Sequence, residues 1–250
     1  MEPENSLSPA LDETASAEVP TASASGQESA TSLEHDLVER GPSAIGALLV
    51  GTAFLRIAAS GAAVAVAFDL VDLFNGHPNG LAVGFIGASQ AVPEMVFAPI
   101  LARFADRLGR RLFLVGGPMI SVIGAIMLSF ASTPSSIVLA RLVEGFGAAA
   151  FVPTALGTIA AATTRNHHAR VSASGAFEAA NLAGYAGGFI VGPFAYHALH
   201  QHSFLVLAAF YFVAGLVCLA LVPHVPPLPV SPIGRVIGAI VGPGPIRSFL

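Results

Sequence analysis

The chain is 250 residues long, 54% hydrophobic and only 10% charged, where an ordinary soluble domain carries about 25% charge. Its net charge of −4 hides a division: nine of the fifteen acids and one arginine, Arg40, lie in the first 44 residues, so that stretch is at −8 and the rest, with ten arginines and six acids, is at +4. This excludes a soluble globular domain and a basic nucleic-acid-binding face, and points to a membrane protein.

Residues 1–44, rich in Ser, Ala, Glu, Thr and Pro, have too little apolar surface to offset the entropy of ordering. They are read as a disordered acidic tail. Met1 is followed by neither a basic region nor an apolar one, so the tail is not a secretory signal.

From 45 to 222 six apolar runs follow, at about 46–68, 81–101, 112–131, 136–162, 172–199 and 203–222. Each reaches the roughly 20 residues that cross a bilayer core of about 30 Å. The fold class is therefore all-α and polytopic. Cys218, the single cysteine, sits in the last run and has no partner within this sequence for a disulfide.

Charges inside such runs are costly, about 2.5–3.5 kcal/mol each at a helix centre, and are expected to face protein or a wet cavity. In the first run Thr52, Arg56 and Ser60 recur every four residues and form one polar stripe; Gln90 and Glu94 do the same in the second. If these helices are neighbours, Arg56 and Glu94 can pair, as a structural ion pair or as a substrate or proton site. In the fourth run Arg141 and Glu144 share a face, suited either to structural pairing or to protonation coupled to conformation. Glu178 in the fifth has Asn181 and Tyr185 on its face and no obvious partner in its own helix; it is the preferred protonatable carboxylate. Gly184, Gly188 and Gly192 form a strip on which another helix can pack closely, with Pro153 and Pro193 as kink or gating positions.

Between the second and third runs stands "ARFADRLGRR", residues 102–111, with Arg103, Asp106, Arg107, Arg110 and Arg111. There is no lysine, so direction is read from arginine. Further arginines follow the fourth run (Arg165, Arg170) and the sixth (Arg235, Arg247), while the first loop carries Asp69 and Asp72. The positive-inside rule then places both termini in the cytoplasm. His167, His168, His197, His200 and His202 lie in loops without a metal-site spacing, so neither metal nor cofactor is expected. Residues 223–250 read as a Pro/Gly-rich cytoplasmic linker.

"ARFADRLGRR" resembles the signature of the major facilitator superfamily, Gly-x-Leu-Ala-Asp-Arg-x-Gly-Arg-Arg/Lys, at Ala105, Asp106, Arg107, Gly109, Arg110 and Arg111; Ala102 replaces the opening glycine. "RLVEGFGAAA" is similar to the family's Arg-x-x-Gln-Gly-x-Gly-Ala-Ala motif at Arg141, Gly145, Gly147, Ala148 and Ala149, with Glu144 in place of glutamine. "GYAGGFIVGP" resembles the Gly-Pro motif of the antiporter branch at Gly184, Gly188, Gly192 and Pro193, and departs from it in the following "FAYH".

The resemblance implies the first six-helix bundle of a transporter, with Asp106 in a latch that bridges to arginine and to a helix of a second bundle. It implies no enzyme activity. The expected function is secondary transport of a small solute across the plasma membrane, proton-coupled and by antiport. The expected partners are lipid, solute, proton and a second six-helix half or a second copy, with no nucleic acid. The alternative is a truncated or half-length membrane protein that does not transport alone, acting as a partner subunit or as a non-functional fragment.

Overall fold

The computed structural model describes residues 24–77, 79–164 and 166–222, with side chains from Ser43 onward. The tail residues 1–23, Arg165, and the linker 223–250 with Arg235 and Arg247 lie outside the described residues. Among those described, every element is helical: α1 (Ala24–Leu73), α2 (Gly80–Ala88), α3 (Ala91–Leu108), α4 (Arg110–Leu128), α5 (Pro134–Ala162), α6 (His167–Leu199), a 3-10 turn (His200–His202) and α7 (Ser203–Leu221). Helices suit such a sequence because lipid offers no partner to a backbone N–H or C=O, and a helix satisfies both within itself.

Side chains start three of these helices. The Asn79 side chain accepts from the Leu81 amide at 2.9 Å, and that of Asn166 accepts from Ala169 at 3.0 Å. Thr133 and Ser136 form a reciprocal capping box ahead of α5, with Pro134 at its first position, where a missing N–H costs nothing.

Five stretches are long and apolar enough to cross a membrane: Ser43–Leu73, Gly80–Leu108, Arg110–Leu128, Pro134–Ala162 and His167–Leu221. The last is 55 residues long, about 80 Å as straight helix, but it doubles back at His200, whose φ is +49°. The packing shows the reversal. Gly184, Gly188 and Gly192 of α6 meet Ala53, Ile57 and Gly61 of α1 in rising order, so these two helices run parallel. Gly51 and Gly61 of α1 meet Cys218 and Leu207 of α7 in falling order, so those two run antiparallel. The same reasoning sets α4 against α5 (Gly117 on Phe151, Gly124 on Glu144) and α4 against α7 (Arg111 on Leu219, Pro118 and Met119 on Gly215). Gln90 meets Gly145, and Leu101 packs with Ala149 and Ala150, so α3 runs with α5. In chain order the long helices alternate in direction.

Three expectations are corrected. Helix α1 begins at Ala24, so the backbone of 24–44 is helical where composition suggested disorder; its Ala, Gln, Glu and Leu content carries good helix propensity without much apolar surface. The second run is not one helix but two, α2 and α3, broken at Ser89 and Gln90. Pro93 explains the break: it has no N–H for the Ser89 carbonyl, and its ring crowds that carbonyl in a continuous helix. The charged segment 102–111 is scarcely a loop, because α3 ends at Leu108 and α4 begins at Arg110. Gly109 alone makes the corner, at φ +101°, a conformation side-chain-bearing residues avoid. Pro153 and Pro193 lie within unbroken helices α5 and α6.

The α1–α6 seam is a close one. A Cβ on Gly184 would lie 2.6 Å from the Arg56 Cβ, and one on Gly192 would lie 2.5 Å from the Gly61 carbonyl oxygen. Gly175, on the same helix, has open space where its Cβ would be. Gly184→Leu is therefore expected to destabilise the detergent-purified protein by about 1–3 kcal/mol through overpacking, while Gly175→Leu leaves its thermal midpoint unchanged or higher. Equal midpoints for the two variants would contradict a close seam.

Candidate functional site

A cavity of about 170 Å³ opens where α1, the α2–α3 span, α5 and α6 face one another. Arg56 and Ser60 line it from α1, Gln90 and Glu94 from the broken span, Arg141 from α5, and Tyr185 and Phe189 from α6.

Arg56 is 5% exposed and takes its partners from two other helices. Its Nη2 donates to Glu94 Oε1 at 2.8 Å and its Nη1 to Glu94 Oε2 at 3.4 Å. Its Nε donates to Asn181 Oδ1 at 2.7 Å. The Tyr185 ring lies 5.2 Å from the guanidinium carbon, within cation–π range. The stripe's other members serve the backbone: Thr52 and Ser60 donate to the carbonyls four residues earlier, each at 2.7 Å. Only Arg56 of the three carries charge into the cavity.

Glu178 lies exposed on α6. Asn181 donates to it at 3.4 Å, so the side chain read as lacking a partner in its own helix has a weak one. Glu94, Arg56, Asn181 and Glu178 thereby form one polar chain from α3 through α1 to α6. Gly145 has a packing role, since a Cβ there would run into the Gln90 backbone.

Arg141 and Glu144 form the second ion pair, at 2.5 Å and almost fully buried. Arg141 also donates to the Gln90 side-chain oxygen. Glu144 Oε1, Arg141 Nε and the Tyr211 hydroxyl are buried without a hydrogen-bond partner among the described residues, an arrangement costing about 1–3 kcal/mol per group.

At the α3–α4 corner Arg110 binds two groups, one on α3 and one on α5. Its Nε and Nη2 donate to Asp106 Oδ1 at 3.0 and 2.9 Å, and its Nη1 donates to the Gly157 carbonyl of α5 at 2.9 Å. Arg111 donates to the Leu219 carbonyl of α7 at 2.7 Å. Arg103 and Arg107 stay exposed and line an open groove with Pro99, Ile100 and Phe104. Two members of the signature thus bind the corner to the bundle, while Arg107 points outward.

The opposite end holds a cluster that sequence reasoning missed. Tyr196 donates to Asp72 at 2.8 Å and reaches Asp69 at 3.4 Å. The two acids are not in a loop; they end α1. Tyr211 was missed too, having no polar neighbour within its own run. His197 belongs to α6, and no three His, Cys, Asp or Glu side chains among the described residues converge to hold a metal.

A family model described as Major Facilitator Superfamily matches residues 47–249. Multidrug resistance protein 1 of Bacillus subtilis is 29% identical over 140 residues, 56% of this chain and 36% of that protein. Multidrug resistance protein 2 of the same organism is 28% identical over 121 residues, 46% of this chain and 30% of its own length. The human synaptic vesicular amine transporter is 27% identical over 149 residues, 58% of this chain and 27% of its own. The chain spans roughly a third of the length of these curated relatives.

The Arg56–Glu94 pair generates a direct test. Arg56→Gln and Glu94→Gln each strand a partner, whereas the double variant removes both charges. The thermal midpoints of the four proteins are expected to give a coupling of about 1–3 kcal/mol, with the double variant more stable than the sum of the single losses. Strictly additive losses would mean that the two side chains do not interact in the folded protein.

Proposed function

The chain belongs to the major facilitator superfamily, and from that premise we propose that it forms a six-helix bundle of a proton-coupled antiporter that moves a small organic solute by alternating access. The observation that carries the proposal is the polar chain Glu94–Arg56–Asn181–Glu178 beside a cavity in an otherwise apolar bundle. The family is one of multi-pass membrane transporters rather than enzymes, and the bundle's helices have the length and composition of spans.

Six spans with both termini in the cytoplasm are supported by the alternating helix directions together with the charges. Arg103, Arg107, Arg110 and Arg111 at the α3–α4 corner lie on the same side as Arg170 near the start of α6, and Asp69 and Asp72 lie on the other. That is the pattern expected when the arginine-rich side faces the cytoplasm, and the membrane we assign is the plasma membrane. The names of the relatives, multidrug resistance proteins and an amine transporter, favour export of drug-like or amine-like solutes.

The chemistry of the cavity suits exchange of solute for proton. An ionised Glu94 binds Arg56; protonating it removes the negative charge and leaves the guanidinium with Asn181 and Tyr185. A cationic solute beside Glu94 would displace the same attraction. Proton and solute then compete for one carboxylate, which is the requirement for antiport. Glu178 is the second carboxylate of this polar chain and lies at its exposed end.

Asp106 serves as the latch. One of its oxygens is held by Arg110, and its side chain is 43% exposed, leaving an acceptor for a helix N-terminus of a facing bundle. Exposed apolar side chains flank the cavity, among them Met95 and Val96 on α3 and Leu182 and Phe189 on α6. A second six-helix bundle, from further chain or from a second copy, would cover them and complete the site.

The test is flux in vesicles with an imposed proton gradient, using the complete transport-competent assembly and a panel of organic cations. Asp106→Asn is expected to slow exchange about tenfold, the scale of losing a partly buried carboxylate–helix contact of about 1–2 kcal/mol, with insertion unaffected. Normal rates in Asp106→Asn would reduce the corner to a topology anchor. Glu178→Gln is expected to abolish proton-driven accumulation and to permit downhill exchange, since glutamine keeps the shape but cannot titrate. Unchanged pH dependence in this variant would remove Glu178 from the coupling path and leave Glu94 or Glu144 to carry it.

A further inference from the structure

Behind the cavity wall lies a carboxyl that this transport cycle does not use. Glu144 is fully buried and is not among the residues that line the cavity; its side chain packs on Gly124 of α4, where Ser121 donates to its backbone carbonyl. Gly124 admits it: a Cβ there would come 2.6 Å from the Glu144 Cγ. One carboxylate oxygen binds Arg141. The other has no hydrogen-bond partner among the described residues, and neither does the Tyr211 hydroxyl of α7 that approaches it.

Arg141 stands on both sides of this wall. Its Nη1 holds Glu144, and its Nη2 reaches Gln90, with which it lines the cavity. A path Gln90–Arg141–Glu144–Tyr211 therefore crosses from the cavity through α5 to α7. We infer that Glu144 is an occluded proton-binding carboxyl, with Tyr211 as the partner of its free oxygen, and that its protonation turns the charge of Arg141 toward the cavity.

The step moves a proton and nothing else. In the ionised form Arg141 serves one oxygen, and a shift of the Tyr211 side chain brings its hydroxyl to the other. When a proton arrives by way of the cavity, an O–H bond forms on Glu144 and the carboxylate charge disappears. Arg141 cannot give up its own proton, so its positive charge is left without a counterion except across the cavity, where Arg141 would share Glu94 with Arg56. Arg141 on its own helix and Tyr211 on α7 are the titratable groups facing Glu144; α4 contributes only Ser121 and Gly124, and Arg56 and Glu94 stand beyond, toward the cavity. The inference depends on the transport reading only in requiring that water reach the cavity at some stage of the cycle.

Infrared difference spectroscopy of the purified protein in lipid vesicles, stepped through pH, reads the carboxyl directly and needs no transport. A protonated-carboxyl band at the high frequency of a group shielded from water is expected in the unsubstituted protein and in Glu94→Gln and Glu178→Gln, apart from the bands of the exposed acids, and is expected to vanish in Glu144→Gln. In Tyr211→Phe the band should change frequency and its midpoint should move by about one unit toward higher pH, the tenfold effect of one hydrogen bond to a charged oxygen. Identical spectra for the unsubstituted protein and Glu144→Gln would overturn the site. A band lost in Glu144→Gln but unmoved in Tyr211→Phe would overturn the role of Tyr211. If the band behaves as expected while a proton gradient drives no flux, the site stands and the proton-coupled transport reading fails.

Discussion

A guanidinium inside an apolar bundle must be surrounded by acceptors, because removing a charge from water without compensation costs more than a helix contact returns. Arg56 meets this requirement with groups from α3 and α6, and those helices are brought to it by the shape of α1. The glycine strip on α6 lets its backbone lie against Ala53, Ile57 and Gly61, and this places Asn181 and Tyr185 within reach of the charge. With a side chain at Gly184 the two helices would stand farther apart, and Arg56 would keep Glu94 alone. The small residues and the charge are therefore one device: the absence of side chains at the seam sets the distance at which the polar contacts close.

The same dependence runs through the α3–α4 corner. Gly109 takes the backbone through a sharp turn, and the turn brings Asp106 and Arg110 onto neighbouring turns of two different helices at hydrogen-bond distance. Arg110 then ties both to α5 through the Gly157 carbonyl. What reads in sequence as a charged loop is in the fold a rigid joint between three helices, and a partner that binds Asp106 acts on all three.

Hydropathy made the membrane spans legible because long apolar runs leave few alternatives. The four-residue spacings of Thr52, Arg56 and Ser60 and of Gln90 and Glu94 made their shared faces legible, and with them the possibility that Arg56 and Glu94 meet. The break at Ser89 was hidden although its cause, Pro93, is in plain view; prolines at 99, 118, 153 and 193 sit in helices that continue, so proline alone does not decide. Tyr196 with Asp69 and Asp72, and Tyr211 with Glu144, could not be found from spacing. Their partners lie far away along the chain, and only the packing of α1 on α6 and of α5 near α7 brings them together. Glu144 itself was visible as a charge in an apolar run, but not the side of α5 on which it would be buried.

Every cation in the bundle's interior is an arginine, and this has an electrical consequence. Arg56 and Arg141 remain charged throughout any cycle, so the interior is a frame of fixed positive charge whose sum changes only when a carboxyl group gains or loses a proton. Each such event alters the charge exposed to the membrane field by one unit, and a transmembrane potential acts on a charge carried fully across with about 2.3 kcal/mol per 100 mV. A lysine in place of either arginine would add a second group able to release a proton. The net charge would then depend on two equilibria, and a given count of protons would no longer fix the state of the bundle.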